Sequence, residues 1–177
     1  MKTELLFPTV LNSGHIDLDI KTINDYKKWV EVEKLITPGI IGSTTHNGYQ
    51  RALGPTDVEP KWFKDIMAGL TDILTEIALP IKSSWIVSYN TGGFQDPHIH
   101  PSSSYTLIVN IQGDGDLLLF DPRPMAVALS EPFAKNIILN PGDWVAFPGT
   151  LSHASRPCNN SRDILVIDFA LNKYLVL

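Results

Sequence analysis

The 177-residue sequence predicts a mainly β fold, a sandwich or jelly roll with N-terminal helices packed on an outer face. Three observations carry this expectation. Residues 62–79 repeat apolar side chains at helical spacing, the pattern changes to short β-type runs after Pro80, and turn residues separate those runs at regular intervals. No internal repeat, linker or low-complexity tract marks a second domain. Residues 1–177 are therefore read as one unit, with a strand and helices in 1–80 and the jelly-roll core in 81–177.

Taken in order, residues 5–11 form a short apolar segment broken by Pro8, which suits an edge strand or an extended arm. Residues 22–36 place Ile23, Tyr26 and Val30 on one face of a helix that ends at Thr37-Pro38-Gly39. Residues 42–56 lack periodicity and are expected to be a loop. Pro60 opens the next helix, with Asp57 and Glu59 near the positive end of its dipole. Along 62–79, Trp62, Phe63, Ile66, Met67, Leu70, Ile73, Leu74 and Ile77 form a stripe that reads as a core face.

Strands are expected at 85–89, 105–111, 117–120, 137–139, 144–147 and 163–171. Gly92-Gly93 is read as a turn, Gly113-Asp114-Gly115 as a hairpin, and Asn140-Pro141-Gly142-Asp143 as a turn.

The net charge of −5 offers no basic footprint for nucleic acid. No apolar run approaches the roughly 20 residues of a membrane helix, and the first residues lack the apolar core of a secretory signal. A cytoplasmic protein is expected, without nucleic-acid or membrane partners and as a monomer or homodimer. With Cys158 alone there is neither a disulfide framework nor a cysteine zinc cage.

The segment Gln95-Asp96-Pro97-His98-Ile99-His100-Pro101 places two imidazoles at i and i+2, which point the same way on a strand. His153 follows the 144–147 strand. In a double-stranded β-helix a late strand folds back beside an early one, and the three imidazoles could meet at one mouth. Imidazole suits Fe, Zn, Cu and Ni, and facial coordination with open positions belongs to non-haem Fe(II) oxygenases. Isolated histidines are also ordinary surface or hydrogen-bonded residues, so spacing alone leaves both readings open.

Arg162 opens the last strand and shares a face with Ile164, Val166 and Asp168. If that face is interior, the guanidinium needs an anion, and a carboxylate matches its fork. An ordinary ion pair with Asp143 or Asp168 is the competing explanation.

With His98, His100, His153 and Arg162 in this order, the chain resembles the 2-oxoglutarate and Fe(II)-dependent oxygenase superfamily. More narrowly it is similar to a bacterial and phage oxygenase family, prolyl-4-hydroxylase-like, that carries an H-x-H-P segment. The likeness runs through Leu6-Phe7-Pro8-Thr9, His46-Asn47-Gly48-Tyr49-Gln50, Trp85, His98-Ile99-His100-Pro101, Asp121-Pro122-Arg123, and Ala146-Phe147-Pro148 to Leu151-Ser152-His153. It implies a cupin-like double-stranded β-helix, and a phage-encoded gene is one source it leaves open.

The resemblance implies His98 and His153 as iron ligands and Arg162 as the residue that binds the C5 carboxylate of 2-oxoglutarate. His100 stands where most of the superfamily has Asp or Glu. It could ligate as a third histidine, leave the position to water, or cede it to Asp121 or Asp96. A neutral ligand there should weaken Fe(II) binding. The residue two after the arginine, often a hydroxyl residue in the superfamily, is Ile164, so Tyr89, Tyr105 or Thr150 would supply the missing co-substrate hydrogen bond.

The implied activity is hydroxylation of an amino acid, peptidyl residue or small metabolite with Fe(II), 2-oxoglutarate and O2, releasing succinate and CO2, with ascorbate as added reductant. Loops 42–56 and 125–135 would form lids or walls, with Gln50, Arg51 and Arg123 as substrate candidates. The alternative is a cupin-like three-histidine metalloprotein: a dioxygenase independent of 2-oxoglutarate, an isomerase, or a metal- or ligand-binding module without catalysis.

Overall fold

A computed structural model describes residues 9–40, 44–54, 59–123 and 133–171. In chain order its elements are β1 (Asn12–His15), α1 (Ile20–Ile36), β2 (Thr45–Leu53), α2 (Lys61–Gly69), α3 (Thr71–Ile77), β3 (Ile81–His98), β4 (Ser103–Gln112), β5 (Gly115–Phe120), β6 (Ala134–Leu139), β7 (Asp143–Pro148), β8 (His153–Ser155) and β9 (Arg162–Ala170). The expected segment at 5–8, most of the wall at 125–135, and Gly42, Ser43, Pro55 and Thr56 lie outside the described residues.

The strands form one curled antiparallel sheet in the order β1-β7-β4-β9-β3-β8-β5-β6, with β2 also on β3. The curl comes from β3. Its first half pairs with β9, ending at Tyr89 opposite Arg162, and its end pairs with β8, where His98 lies opposite His153. The strand bends between these halves at Gly92, whose φ of +78° is open to glycine at little cost. Gly92 N–H donates to the Cys158 carbonyl and Cys158 N–H to the Gly93 carbonyl. Gly92-Gly93 is therefore a bend within one 18-residue strand rather than the expected turn between strands.

The chain crosses at Gly113, where β4, paired with β7 and β9, passes to β5, paired with β6 and β8. The expected Gly113-Asp114-Gly115 hairpin is thus a crossover, because the two strands it joins do not pair. The predicted loop at 42–56 contains strand β2, which pairs with β3 from Thr45 to Leu53. Among the described residues, the first 80 so contribute two strands to the sheet, β1 and β2.

Helix α1 starts where Asp19 caps it, accepting from Thr22 N–H at 2.6 Å, and ends at extended Thr37 before Pro38. The stripe expected as one helix over 62–79 is two, broken at Leu70 with ψ near 5°. Thr71 donates its hydroxyl to the Ala68 carbonyl at 2.7 Å across the break. No described helix is long and apolar enough to cross a membrane.

Two apolar clusters flank the central strands. Tyr26, Val30, Trp62, Phe63, Ile66 and Leu70 from the helices cover Ile86, Leu107, Val109 and Leu165 on the outer face. On the inner face Val87, Ile108, Leu117, Val145, Phe147, Ile164 and Val166 close the space between the two halves of the curl. Because β9 is covered on both sides, its residues are buried from Arg162 to Phe169, and its middle, Ile164 to Ile167, reads as a continuous apolar run instead of an alternation.

Candidate metal and anion site

His98 and His153 face each other on neighbouring strands β3 and β8. His100 lies in the turn after β3, fixed by its backbone N–H donating to the Gly149 carbonyl at 2.7 Å. One nitrogen from each ring lies within 4.8 Å of the others. The ring centroids are 4.2 Å apart for His98 and His153, 5.2 Å for His98 and His100, and 5.1 Å for His100 and His153.

The hydrogen bonds define which nitrogen is available. Carbonyl oxygens can only accept, so His98 Nδ1–H donates to the Asp96 carbonyl at 2.8 Å and His153 Nδ1–H to the Leu151 carbonyl at 3.0 Å. His100 Nδ1 lies 2.7 Å from Asp168 Oδ1, a carboxylate that likewise only accepts. With Nδ1 engaged in this way, Nε2 is the nitrogen each ring has left for a metal. Burial, with the neighbouring His98 charge, holds the His153 pKa down to about 3. Burial also lowers His98, with His100 adding to the effect. These two rings stay neutral at pH 7, so the donor set fits a divalent ion of the kind that imidazole prefers. Phe147, 4.8 Å from the His153 ring, and Trp85, 5.4 Å from the His100 ring, form dry walls.

Asp121 and Asp96, the carboxylates weighed for the third position, are outside this cluster. Asp121 is held by Arg123, which donates from its backbone N–H, Nε and Nη2, and these bonds bring the carboxyl pKa down to about 2. Asp96 accepts from His46 Nε2 at 2.6 Å.

Asp168 was legible only as an ion-pair partner for Arg162, and its place behind His100 is new. It is 5% exposed and also accepts from Thr106 Oγ1 at 2.7 Å and Ser103 Oγ at 2.8 Å. Burial pushes its pKa up, but the bonds from His100, Thr106 and Ser103 outweigh this and leave it below the usual value.

Arg162 is 2% exposed, with its side chain on the inner face. Among the described residues no carboxylate lies within salt-bridge reach of it: Asp168 pairs with His100 and Asp143 with His15 at 2.8 Å, while Asp116 and Asp114 act on it only from further off. Its side-chain partner is Asn110 Oδ1, 3.4 Å from Nε, and Asn110 is oriented by donating to the Gly113 and Leu139 carbonyls. Burial lowers its pKa, but a guanidinium remains charged. A buried cation without a carboxylate is costly unless an anion joins it. Gly115 makes room for it, since a Cβ there would lie 2.5 Å from Arg162 Cδ.

Of the other candidates, Tyr89 is buried beside Arg162 and donates to Gln95 Oε1 at 3.0 Å. Tyr105 instead packs with the outer, helix-side cluster, and Thr150 is exposed on the turn after β7. Strand alternation puts Gln50, opposite Val87, on the inner face. Arg51 turns outward and pairs with Glu33 at 2.9 Å, beside a separate cavity of about 640 Å³ that none of the three histidines lines. Arg123 is exposed and bound to Asp121.

No protein-family model matches the chain, and no curated protein matches it. Solved structures do. A Pseudomonas putida prolyl-4-hydroxylase is 12% identical over 90% of this chain and 91% of its own, with a TM-score of 0.65. HygX from Streptomyces hygroscopicus, solved with nickel and 2-oxoglutarate bound, is 11% identical over 93% and 84%, with a TM-score of 0.65. A Trichoplax adhaerens prolyl hydroxylase, in complex with a hypoxia-inducible-factor degradation-domain peptide, is 10% identical over 90% and 83%, with a TM-score of 0.64. At such identities the likeness is one of fold: the chain is a double-stranded β-helix of the kind these structures share.

Proposed function

We propose that the protein is a 2-oxoglutarate-dependent oxygenase using Fe(II) and O2, a hydroxylase of an amino acid, peptidyl residue or small metabolite. One observation carries this reading: three clustered histidines, each with Nδ1 engaged and Nε2 left for a ligand, and a buried arginine with no ion-pair partner among the described residues share one interior. Arg162 and Asp168 mark its two ends, six residues and about 20 Å apart along β9, with Ile164 and Val166 between them. A small dicarboxylate would give one carboxylate to the cation and the other to a metal, the reach of the arginine side chain and of the His100 ring shortening the span between the backbone positions.

In this reading His98, His100 and His153 would hold the metal. The chemistry that a bound Fe(II) brings is oxidative decarboxylation of 2-oxoglutarate to succinate and CO2, coupled to hydroxylation of a substrate C–H bond. Arg162 binds the far carboxylate, and Asn110 keeps the guanidinium in place before it arrives. Tyr89, whose hydroxyl donates to Gln95, lines that end. Phe147 and Trp85 keep water from the histidines. The fold shared with HygX, which binds nickel and 2-oxoglutarate, and with two prolyl hydroxylases supports the assignment.

A three-histidine set alone would equally suit a cupin-like metalloprotein of another class. Arg162 favours the oxygenase, because only that reaction uses a buried cation at a distance from the metal. The test is succinate formation from 2-oxoglutarate by the purified protein with Fe(II) and ascorbate, without added substrate. Absence of succinate, together with no anaerobic 2-oxoglutarate binding to the metal-loaded protein, overturns the proposal.

A further inference from the structure

We infer that Asp168 acts through His100 as the negative charge of the metal centre, so that the carboxylate of the usual two-histidine, one-carboxylate set stands one imidazole further out. The inference rests on the reading that the three histidines bind a divalent metal.

In the facial arrangement of non-haem iron oxygenases one ligand is anionic. Three neutral imidazoles would leave a divalent ion with its full charge. In this chain the ring nearest the carboxylate's usual place is backed by a buried carboxylate, Asp168 Oδ1, at 2.7 Å from His100 Nδ1. The other two rings are backed only by main-chain carbonyls. A carboxylate behind a ligating histidine fixes its tautomer and raises its basicity. Asp168 is itself built in: Ser103 and Thr106 donate to it, and its own strand, β9, lies beside β4, which carries both hydroxyls. The groups facing Asp168 are thus His100, Ser103 and Thr106, and among the described residues no lysine or arginine forms an ion pair with it. Its charge is directed to His100.

This changes the expectation drawn from the sequence, that a histidine at position 100 weakens metal binding. It also separates a charge role from a merely structural one. Asp168→Asn keeps the shape and an acceptor for His100 but removes the charge. Anaerobic titration of the full chain with Co(II), followed by calorimetry and visible absorption, should show a Kd weakened about 10- to 100-fold. In a His100→Asp background the charge enters the ligand set directly, and Asp168 becomes a second buried carboxylate that repels it. There Asp168→Asn should leave the Co(II) affinity unchanged or improve it.

Thr106→Val provides a second handle if Asp168→Asn does not fold. It removes a hydroxyl that donates to the carboxylate and also lies 2.9 Å from His100 Nδ1, leaving His100 and Asp168 to each other, so Co(II) affinity should be retained or rise. An unchanged affinity in Asp168→Asn, equal weakening in both backgrounds, or a tenfold loss in Thr106→Val each overturns the inference. Failure of the unmodified protein to bind Co(II) would instead overturn the metal-site reading beneath it.

Discussion

Gly115→Ala tests the anion end of the site without touching a charged residue. The added Cβ would stand 2.5 Å from Arg162 Cδ, 2.7 Å from Nη1 and 2.8 Å from Nε, where ordinary contact begins at 3.4 Å. The arginine must therefore yield by nearly an ångström at Cδ, and it is 2% exposed, so it cannot swing into solvent. A shift of that size breaks the fork geometry on which a two-point carboxylate contact depends. Losing one charge-assisted hydrogen bond costs about 1.5–3 kcal/mol, or roughly a 10- to 150-fold weaker Kd for 2-oxoglutarate. Metal binding should not change, because Gly115 is four residues, about 13 Å of strand, from Leu119, the residue opposite His153. Anaerobic calorimetry of the nickel-loaded variant measures both. If 2-oxoglutarate binds within twofold of the unmodified protein, Arg162 is not its anchor.

Three further outcomes follow from the same geometry. His153 has a folded pKa of about 3 against a usual 6.5, so below pH 6.5 the unfolded chain takes up a proton that the folded one refuses. The metal-free protein should lose roughly 1.4 kcal/mol of stability per pH unit as pH falls from 6.5 towards 3, with His98 adding in the same direction. Equal urea midpoints at pH 7 and pH 5 would contradict this. Asp121→Asn should leave Co(II) affinity within twofold, since that carboxylate is spent on Arg123, and a tenfold loss would restore it as a ligand. Phe147→Ala empties a fully buried position beside His153 and should cost about 3–5 kcal/mol in chemical unfolding. A cost below 1 kcal/mol would mean that the ring does not wall the site.

The fold was legible wherever one physical rule acted alone. Proline and glycine marked the C-terminal end of α1, and the stripe from Trp62 to Ile77 marked a core face even though the helix breaks at Leu70. Legibility failed where a tertiary partner decided the outcome. Gly92-Gly93 has the composition of a hairpin turn, but hydrogen bonds to Cys158, some 65 residues on, hold it as a bend. Residues 45–53 carry no alternation of their own and become a strand because β3 offers an open edge. The hairpin signal at Gly113 was a turn of the right kind joining strands of different halves, and local sequence does not encode which strand lies next in space.

The site divides in the same way. Spacing placed His98 and His100 on one side, and order along the chain added His153 and Arg162. What could not be read was which charged group each would meet. Asp168 shares a face with Arg162, and from sequence their opposite charges suggest a pair. Yet six residues of extended strand hold them about 20 Å apart, too far for contact. That distance gives each a separate task. It leaves the arginine in need of an external anion and leaves the aspartate to His100, so the two charges that looked as if they cancelled instead polarise opposite ends of one interior. A single substitution pair exposes this: Arg162→Leu should abolish 2-oxoglutarate binding with Co(II) affinity intact, whereas Asp168→Asn should weaken Co(II) first. If both variants lose both ligands in parallel, the two ends are not independent and the assignment of separate roles is wrong.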